Sequence, residues 1–297
     1  MTRERIAHTG GAATRVLPVL LPGAAHLTRT ALRERAHGFA TWRLRGSHGV
    51  VLMLAFLLGC GMAQAQAGPG YPSILATIWK WTPLLARGFV FNLAISFLAM
   101  AIGTFAGFFL GSAQISLLRP VRGTAWFTMN FFRNAPWLVL LFYCMFLIPF
   151  QVTVFGVTIP IPDWTKAVFG LALPVMANVA EIVRGAIQSI PTTQWEAAAS
   201  LAFNRRQTLW MIIIPQCIKR MLPPWMNLYA ILTMSTVLAS IVGVNEMMTQ
   251  TQRALSAESR PGLLLAFYSY VLLWFFAYCY PIARWTVRLE ARYAVRH

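Results

Sequence analysis

The sequence predicts an all-α integral membrane protein, and three observations carry that prediction. Of its 297 residues, 58% are hydrophobic and only 11% are charged, too apolar a balance for an ordinary soluble domain. The apolar residues fall in runs that match helices crossing a hydrocarbon core of ~30 Å. The basic residues behind the formal charge of +17 sit at the N-terminus and in short loops between those runs. That distribution follows membrane topology, so lipid is the expected neighbour and nucleic acid is not.

Residues 1–49 carry eight arginines against Glu4 and Glu34 and are expected to form a basic, poorly ordered leader. Residues 50–67 follow as a short apolar stretch, Val50 to Leu58, flanked by Arg43 and Arg45 and closed by Ala63-Gln64-Ala65-Gln66-Ala67. A basic flank, a short apolar core and an A-x-A site read as a signal peptide. Two other readings stand beside it: a lipoprotein signal at Leu57-Leu58-Gly59-Cys60, and an uncleaved signal anchor. Residues 68–83, with Pro69, Gly70, Pro72, Trp79 and Trp81, read as an extracytoplasmic or interfacial segment with an aromatic anchor.

Five spans are predicted beyond it. The first is the charge-free run Phe89 to Leu110, in which Gly103, Gly107 and Gly111 repeat every four residues and form a face that lets another helix approach closely. The others are Ala135 to Phe150, Ala167 to Val183, Leu228 to Val244 and Leu263 to Ile282. The tail 284–297 places Arg284, Arg288, Arg292 and Arg296 at helical spacing, where they face the cytoplasmic lipid surface. One set of loops holds Arg119, Arg122, Arg205, Arg206, Lys219, Arg220 and this tail; in the other set Asp163, Lys166, Glu246, Arg253, Glu258 and Arg260 nearly cancel. The first set is therefore cytoplasmic.

The longest polar interval lies between two strongly apolar segments, from Ala177 to Gln216. Thr193 followed by Glu196 is the pattern of a capping box, which predicts a helix from Gln194. Ala197, Ala198, Ala199 and Ala202 favour helix and leave its surface shallow. Asn204 can end that helix in a left-handed conformation, and a second amphipathic segment runs from Arg205 to Pro215. On spacing alone the pair reads equally as a docking element and as a surface connection between two spans.

Glu196-Ala197-Ala198, then Leu201, then Ile214-Pro215-Gln216, resembles the EAA loop of ABC importer permeases, in the branch that takes up polar amino acids. Phe132-Arg133-Asn134-Ala135-Pro136, Ala180-Glu181-Ile182-Val183-Arg184-Gly185 and Ser240-Ile241-Val242-Gly243-Val244-Asn245-Glu246 resemble the same family in the same order, so the likeness covers residues 84–290, with the docking loop at 190–216. The resemblance implies a five-helix core of the type I ABC importer kind in a bacterial inner membrane. It implies three partners as well: a separate ATPase subunit that binds ATP, a periplasmic substrate-binding protein, and a second permease subunit, self or similar. It also implies that Thr193, Glu196, Ala197, Ala198, Leu201 and Ala202 form the ATPase-docking surface. Two departures are visible: Ala202 stands where the family has glycine, and Thr193-Gln194 where it has Gly-Gln.

No catalytic constellation and no metal set emerges. The five histidines are His8, His26, His37, His48 and His297, the cysteines Cys60, Cys144, Cys217 and Cys279 show no paired spacing, and no G-x-x-x-x-G-K loop is present to cradle ATP. The chain is not expected to be an enzyme or to hold a cofactor. Charges at membrane depth are functional candidates. Glu181 and Arg184, three apart on one helix face, read either as a structural ion pair or, with Asn178, as part of a translocation path. Arg133 either anchors its span at the interface or attracts an anionic substrate group. Ser235 and Thr236 join the candidates because Met234-Ser235-Thr236-Val237-Leu238 replaces the family's Lys-Asp-Thr-Ser-Leu run. The flanking motifs look most like permeases for acidic amino acids and their amides. The competing classes are an ion-coupled secondary transporter or channel that uses Glu181 as a relay, and a membrane component that has lost transport.

Overall fold

The computed structural model describes residues 72–293, with Phe56 and Gly59. The basic leader, the signal-peptide expectation, all five histidines and Cys60 lie outside the described residues.

The described chain is almost entirely helical. Helix α1 (Ile74–Ala113) starts at Ser73, whose Oγ accepts from the Ala76 backbone N–H at 3.2 Å, and it runs through Pro83 without a break. The segment expected to precede the first span is therefore, from Ile74 on, its first turns. Helix α2 (Arg119–Asn134) begins with Pro120 in its first turn, where the missing N–H costs nothing, and ends as the chain turns extended at Ala135-Pro136. Helix α3 (Trp137–Leu147) lies inside the second predicted span.

A short hairpin, β1 (Gln151–Val154) paired antiparallel with β2 (Val157–Pro160), then connects to α4 (Asp163–Gln188). This hairpin was not expected. Phe155 and Gly156 both take positive φ at its tip, the geometry a tight two-residue turn requires.

After α4 come α5 (Thr192–Ser200), the single turn α6 (Arg205–Gln207), a π-helical turn (Thr208–Ile213) and α7 (Ile214–Ser235), which passes into a 3₁₀ turn (Thr236–Ser240). Helix α7 starts well before the predicted fourth span and ends before Val244. The π turn explains the difference: Pro215 has no N–H and its ring crowds the preceding carbonyl, and a wider turn just upstream absorbs both problems. Pro223 and Pro224 also sit inside α7, so the residues before the predicted fourth span are continuous helix with it. Helices α8 (Met247–Glu258) and α9 (Leu263–Tyr293) complete the chain, α9 running on through Arg284, Arg288 and Arg292.

Among the described residues three helices are long and apolar enough to cross a membrane by length and composition alone: α1, α4 and α9. Lys219 and Arg220 make the start of α7 too polar for that criterion, and α3 is 11 residues.

Two apolar clusters hold the bundle. The larger joins the middle of α1 to α3, α4 and α7 through Ile95, Leu141, Leu171, Val175, Ile213 and Leu232; the smaller packs the first half of α1 against α8 and α9 through Leu85, Phe89, Met247, Leu263 and Phe267. Gly103, Gly107 and Gly111 face α4 as the repeat predicts. A Cβ at Gly107 would fall 2.6 Å from the Met176 carbonyl oxygen, and one at Gly111 2.7 Å from that of Ala180.

A polar knot joins the two clusters. Asn92 is fully buried in α1 and donates to Thr236 Oγ1 (2.9 Å) and Glu246 Oε2 (3.0 Å) while accepting from the Met247 N–H (3.0 Å). Glu246 also accepts from the N–H groups of Met248 and Thr249, which makes it the cap of α8. Burial raises the Glu246 carboxyl above its ordinary value, against the pull of these hydrogen bonds.

Candidate functional site

Helix α5 rests on the edge of the larger apolar cluster through Trp195, and four hydrogen bonds brace the loop around it. Arg220 of α7 donates to the Ser189 carbonyl (2.7 Å) and hydroxyl (2.9 Å) at the end of α4. Arg205 donates to the Ile115 carbonyl (3.0 Å), just past the end of α1. Gln216 reaches Gln194 within α5 at 3.4 Å. The ends of α1, α4 and α7 are thus tied to this one loop.

The local caps differ from expectation. The helix starts at Thr192 after Pro191, and no side chain caps it. Thr193 is already in helical conformation at the second position, so the Thr193–Glu196 capping box does not form. The box that does form is Asn204 with Gln207: Asn204 Oδ1 accepts from the Gln207 N–H and Gln207 Oε1 from the Asn204 N–H, both at 2.9 Å. Asn204 is extended, so it starts a helix and does not end one in a left-handed state.

Ala202 takes the left-handed position instead, at φ 59°. The Phe203 N–H bonds the Ala198 carbonyl at 3.1 Å and the Ala202 N–H the Ala199 carbonyl at 2.9 Å, the two bonds of a Schellman stop. The family's glycine at this position now has a physical reason, and the alanine here carries strain of about 1 kcal/mol. Ala202→Gly is expected to stabilise the protein by about 1 kcal/mol, read as a rise in the thermal midpoint in detergent.

Burial divides α5 into two faces. Ala198 is buried and Trp195 half-buried against the body, whereas Thr193, Glu196, Ala197, Leu201 and Ala202 are exposed, Leu201 at 71%. Among the described residues the Glu196 carboxylate has neither a hydrogen bond nor an ion pair. Its expected cap does not form among the described residues.

A second feature lies between α2, α4 and α7. A cavity of about 390 Å³ is lined by Arg133, Asn178, Glu181, Ile182, Asn227 and Ile231, among others. Glu181 is bracketed by two guanidinium groups: Arg184 donates to its Oε2 at 3.0 Å and its Oε1 at 2.5 Å, and Arg133 lies 3.6 Å away. Arg184 also holds Gln188 at 2.9 Å. The expected Glu181–Arg184 pair therefore forms, as a bidentate contact with Arg133 added. Asn178 gives its amide to the Pro174 carbonyl (2.8 Å) and turns the rest of its side chain to the cavity.

Asn227 was missed by sequence reasoning because it falls one residue outside the predicted fourth span. A polar side chain three residues after a Pro-Pro pair in an apolar helix is the signal that could have found it. Ser235 and Thr236 are placed elsewhere: Ser235 is half-buried and donates to the Ile231 carbonyl, and Thr236 is locked in the Asn92 knot.

The family described as "Binding-protein-dependent transport system inner membrane component" matches residues 99–283, a stretch that contains the exposed helix, its framework and the cavity. The chain belongs to this family. A probable amino-acid ABC transporter permease protein of Bacillus subtilis, YckA, is 34% identical over 212 residues, covering 71% of this chain and 90% of that one. The glutamine transport system permease protein GlnP of Escherichia coli K12 is 30% identical over 185 residues, 62% of this chain and 83% of its own. The chain is also similar to a solved structure titled "Crystal structure of an amino acid ABC transporter with histidines", with a TM-score of 0.63 and 28% identity over 75% of this chain and 99% of that one. The methionine ABC transporter MetNI shares the fold at a TM-score of 0.56 and 17% identity. The permease is thus a multi-pass membrane subunit of an ABC transport system, and the reading as an ion-coupled transporter or channel falls away.

Proposed function

We propose that this permease carries polar amino acids inward through the cavity at Arg133 and Glu181, driven by an ATPase subunit that grips α5. The observation that carries the reading is the coupling of the exposed Thr193–Ala202 surface to α4 and α7, by Gln216 to Gln194 and by Arg220 to Ser189, since residues further along those two helices line that cavity. Pulling on α5 moves α4 and α7 together, and those are the helices whose residues line the polar space. An ATPase cleft receives Ala197 and Leu201 as a shallow apolar strip, and a basic group in it meets Glu196. ATP is bound by that partner, a periplasmic binding protein delivers substrate, and a second permease copy or a similar chain closes the path.

The substrate class follows from charge. Two arginines surround one glutamate, so the site carries net positive charge and Arg133 has donors to spare beyond its 3.6 Å contact. A substrate carboxylate fits Arg133 and a substrate ammonium fits Glu181, with Asn178 and Asn227 offering amides to a polar side chain. Relatives named for glutamine and cystine transport agree with this class.

Uptake of labelled amino acids by cells with the complete system tests the reading. Arg133→Ala and Glu181→Gln are expected to lower uptake at least tenfold while the variants reach the membrane in normal amounts, since each removes one charged contact to the substrate worth roughly 1.5–3 kcal/mol. Arg184→Ala is expected to lower folded yield as well, because it holds Glu181 and Gln188 and does not itself line the cavity. Unchanged uptake in both of the first two variants would remove this cavity from the path.

A further inference from the structure

One part of the surface of α1, α7 and α9 is concave. A groove of about 960 Å³ is lined by Phe97, Ala101 and Phe105 of α1, Trp225 and Tyr229 of α7, and Tyr278 of α9, with a few neighbours. Tyr278 in its wall belongs to an aromatic cluster in which Phe89 meets Trp274, Phe275 and Tyr278 edge-on, at 5.3, 5.3 and 5.9 Å between ring centroids.

The polar atoms of its wall are already used. Trp225 Nε1 donates to Thr104 Oγ1 at 2.8 Å, and the hydroxyls of Tyr229 and Tyr278 share a hydrogen bond of 2.9 Å. What remains is hydrocarbon and aromatic surface, which rejects a polar ligand and suits an alkyl chain. From Phe97 to Phe109 the groove follows twelve residues of α1, ~18 Å of helix. One leaflet of a ~30 Å hydrocarbon core is about as deep.

Charge identifies the other end of the occupant. Beyond Tyr278, α9 continues into Arg284, Arg288 and Arg292, all exposed, with Glu290 as their one acidic neighbour on that helix. They lie six, ten and fourteen residues further on, ~9 to ~21 Å along the axis and on the cytoplasmic side. Basic clusters at this depth attract anionic headgroups.

The geometry points to a lipid site: the groove holds an acyl chain of an anionic phospholipid from the cytoplasmic leaflet, with its phosphate met by the arginines at the end of α9. The full permease, purified in mild detergent and exchanged into nanodiscs of mixed phosphatidylglycerol and phosphatidylcholine, is examined by native mass spectrometry. Wild type is expected to retain phosphatidylglycerol over phosphatidylcholine by about tenfold. Ala101→Trp fills the groove from an exposed position and is expected to abolish retention. Arg284→Gln combined with Arg288→Gln and Arg292→Gln is expected to keep a bound lipid and lose the preference.

Equal retention of both lipids by wild type, or undiminished retention by folded Ala101→Trp, overturns the proposal. Disulfide crosslinking of Ala101→Cys to a second copy overturns it too, since a protein then covers the groove. Should Ala101→Trp not fold, a phosphatidylglycerol with a photoreactive acyl chain decides on wild type: labelling at Phe105 or Trp225 supports the site, and labelling confined to other helices overturns it.

Discussion

Replacing Glu196 with lysine is expected to leave the permease folded and inserted, to weaken its binding to the ATPase subunit by about thirtyfold or more, and to abolish uptake. The carboxylate is exposed and has no partner among the described residues, so its loss costs the fold within about 0.5 kcal/mol. It stands beside Ala197 on the exposed face of α5, where a partner's groove would close over it. Reversing a charge at such a desolvated contact costs on the order of 2–5 kcal/mol, because the partner's basic group then faces a like charge. Titration of the purified ATPase onto immobilised permease gives the affinity, and size-exclusion profiles report the fold. A variant that does not fold would contradict the observed lack of intramolecular partners. A variant that folds, binds and transports normally would contradict docking at this face.

Gly107→Leu is expected to abolish the folded permease altogether. The Cβ alone meets the Met176 carbonyl oxygen at 2.6 Å and Val179 Cβ at 2.7 Å, neither of which is the far end of a flexible side chain. Helices α1 and α4 would have to separate along the seam made by Gly103, Gly107 and Gly111, giving up close packing in the larger apolar cluster. A loss of about 3 kcal/mol or more is a large share of a typical domain's stability. Monodisperse protein recovered from solubilised membranes is the measurement, and near-total loss is the expected result. Ala106→Leu, one residue away and outside the glycine seam, is expected to be recovered in roughly normal amount.

The legibility of the sequence varied with how local each signal was. Apolar runs gave α1, α3, α4 and α9, and the glycine repeat gave the α1–α4 contact, because each depends on composition and spacing within one segment. Helix α7 was misplaced because Lys219 and Arg220 read as loop charges and Pro215, Pro223 and Pro224 interrupt the apolar run; the π turn that accommodates Pro215 leaves no mark in a pattern of period 3.6. The docking helix was legible as an element, but its caps were not. Thr193–Glu196 and Asn204–Gln207 both fit a capping box, and only the second stands where the backbone is extended. The left-handed stop went to Ala202, against local preference, because the chain must fold back there for Phe203 to bond Ala198. In the cavity, Glu181 and Arg184 were paired by spacing alone. Arg133 and Asn227 come to Glu181 from other helices, a juxtaposition no single segment encodes.

The most direct test of the whole account is what accompanies this chain in its own membrane. Purified in mild detergent through a tag and analysed by quantitative mass spectrometry, wild type is expected to bring an ABC ATPase in an amount comparable to its own. An intact, folded permease that brings no ATPase would contradict the account.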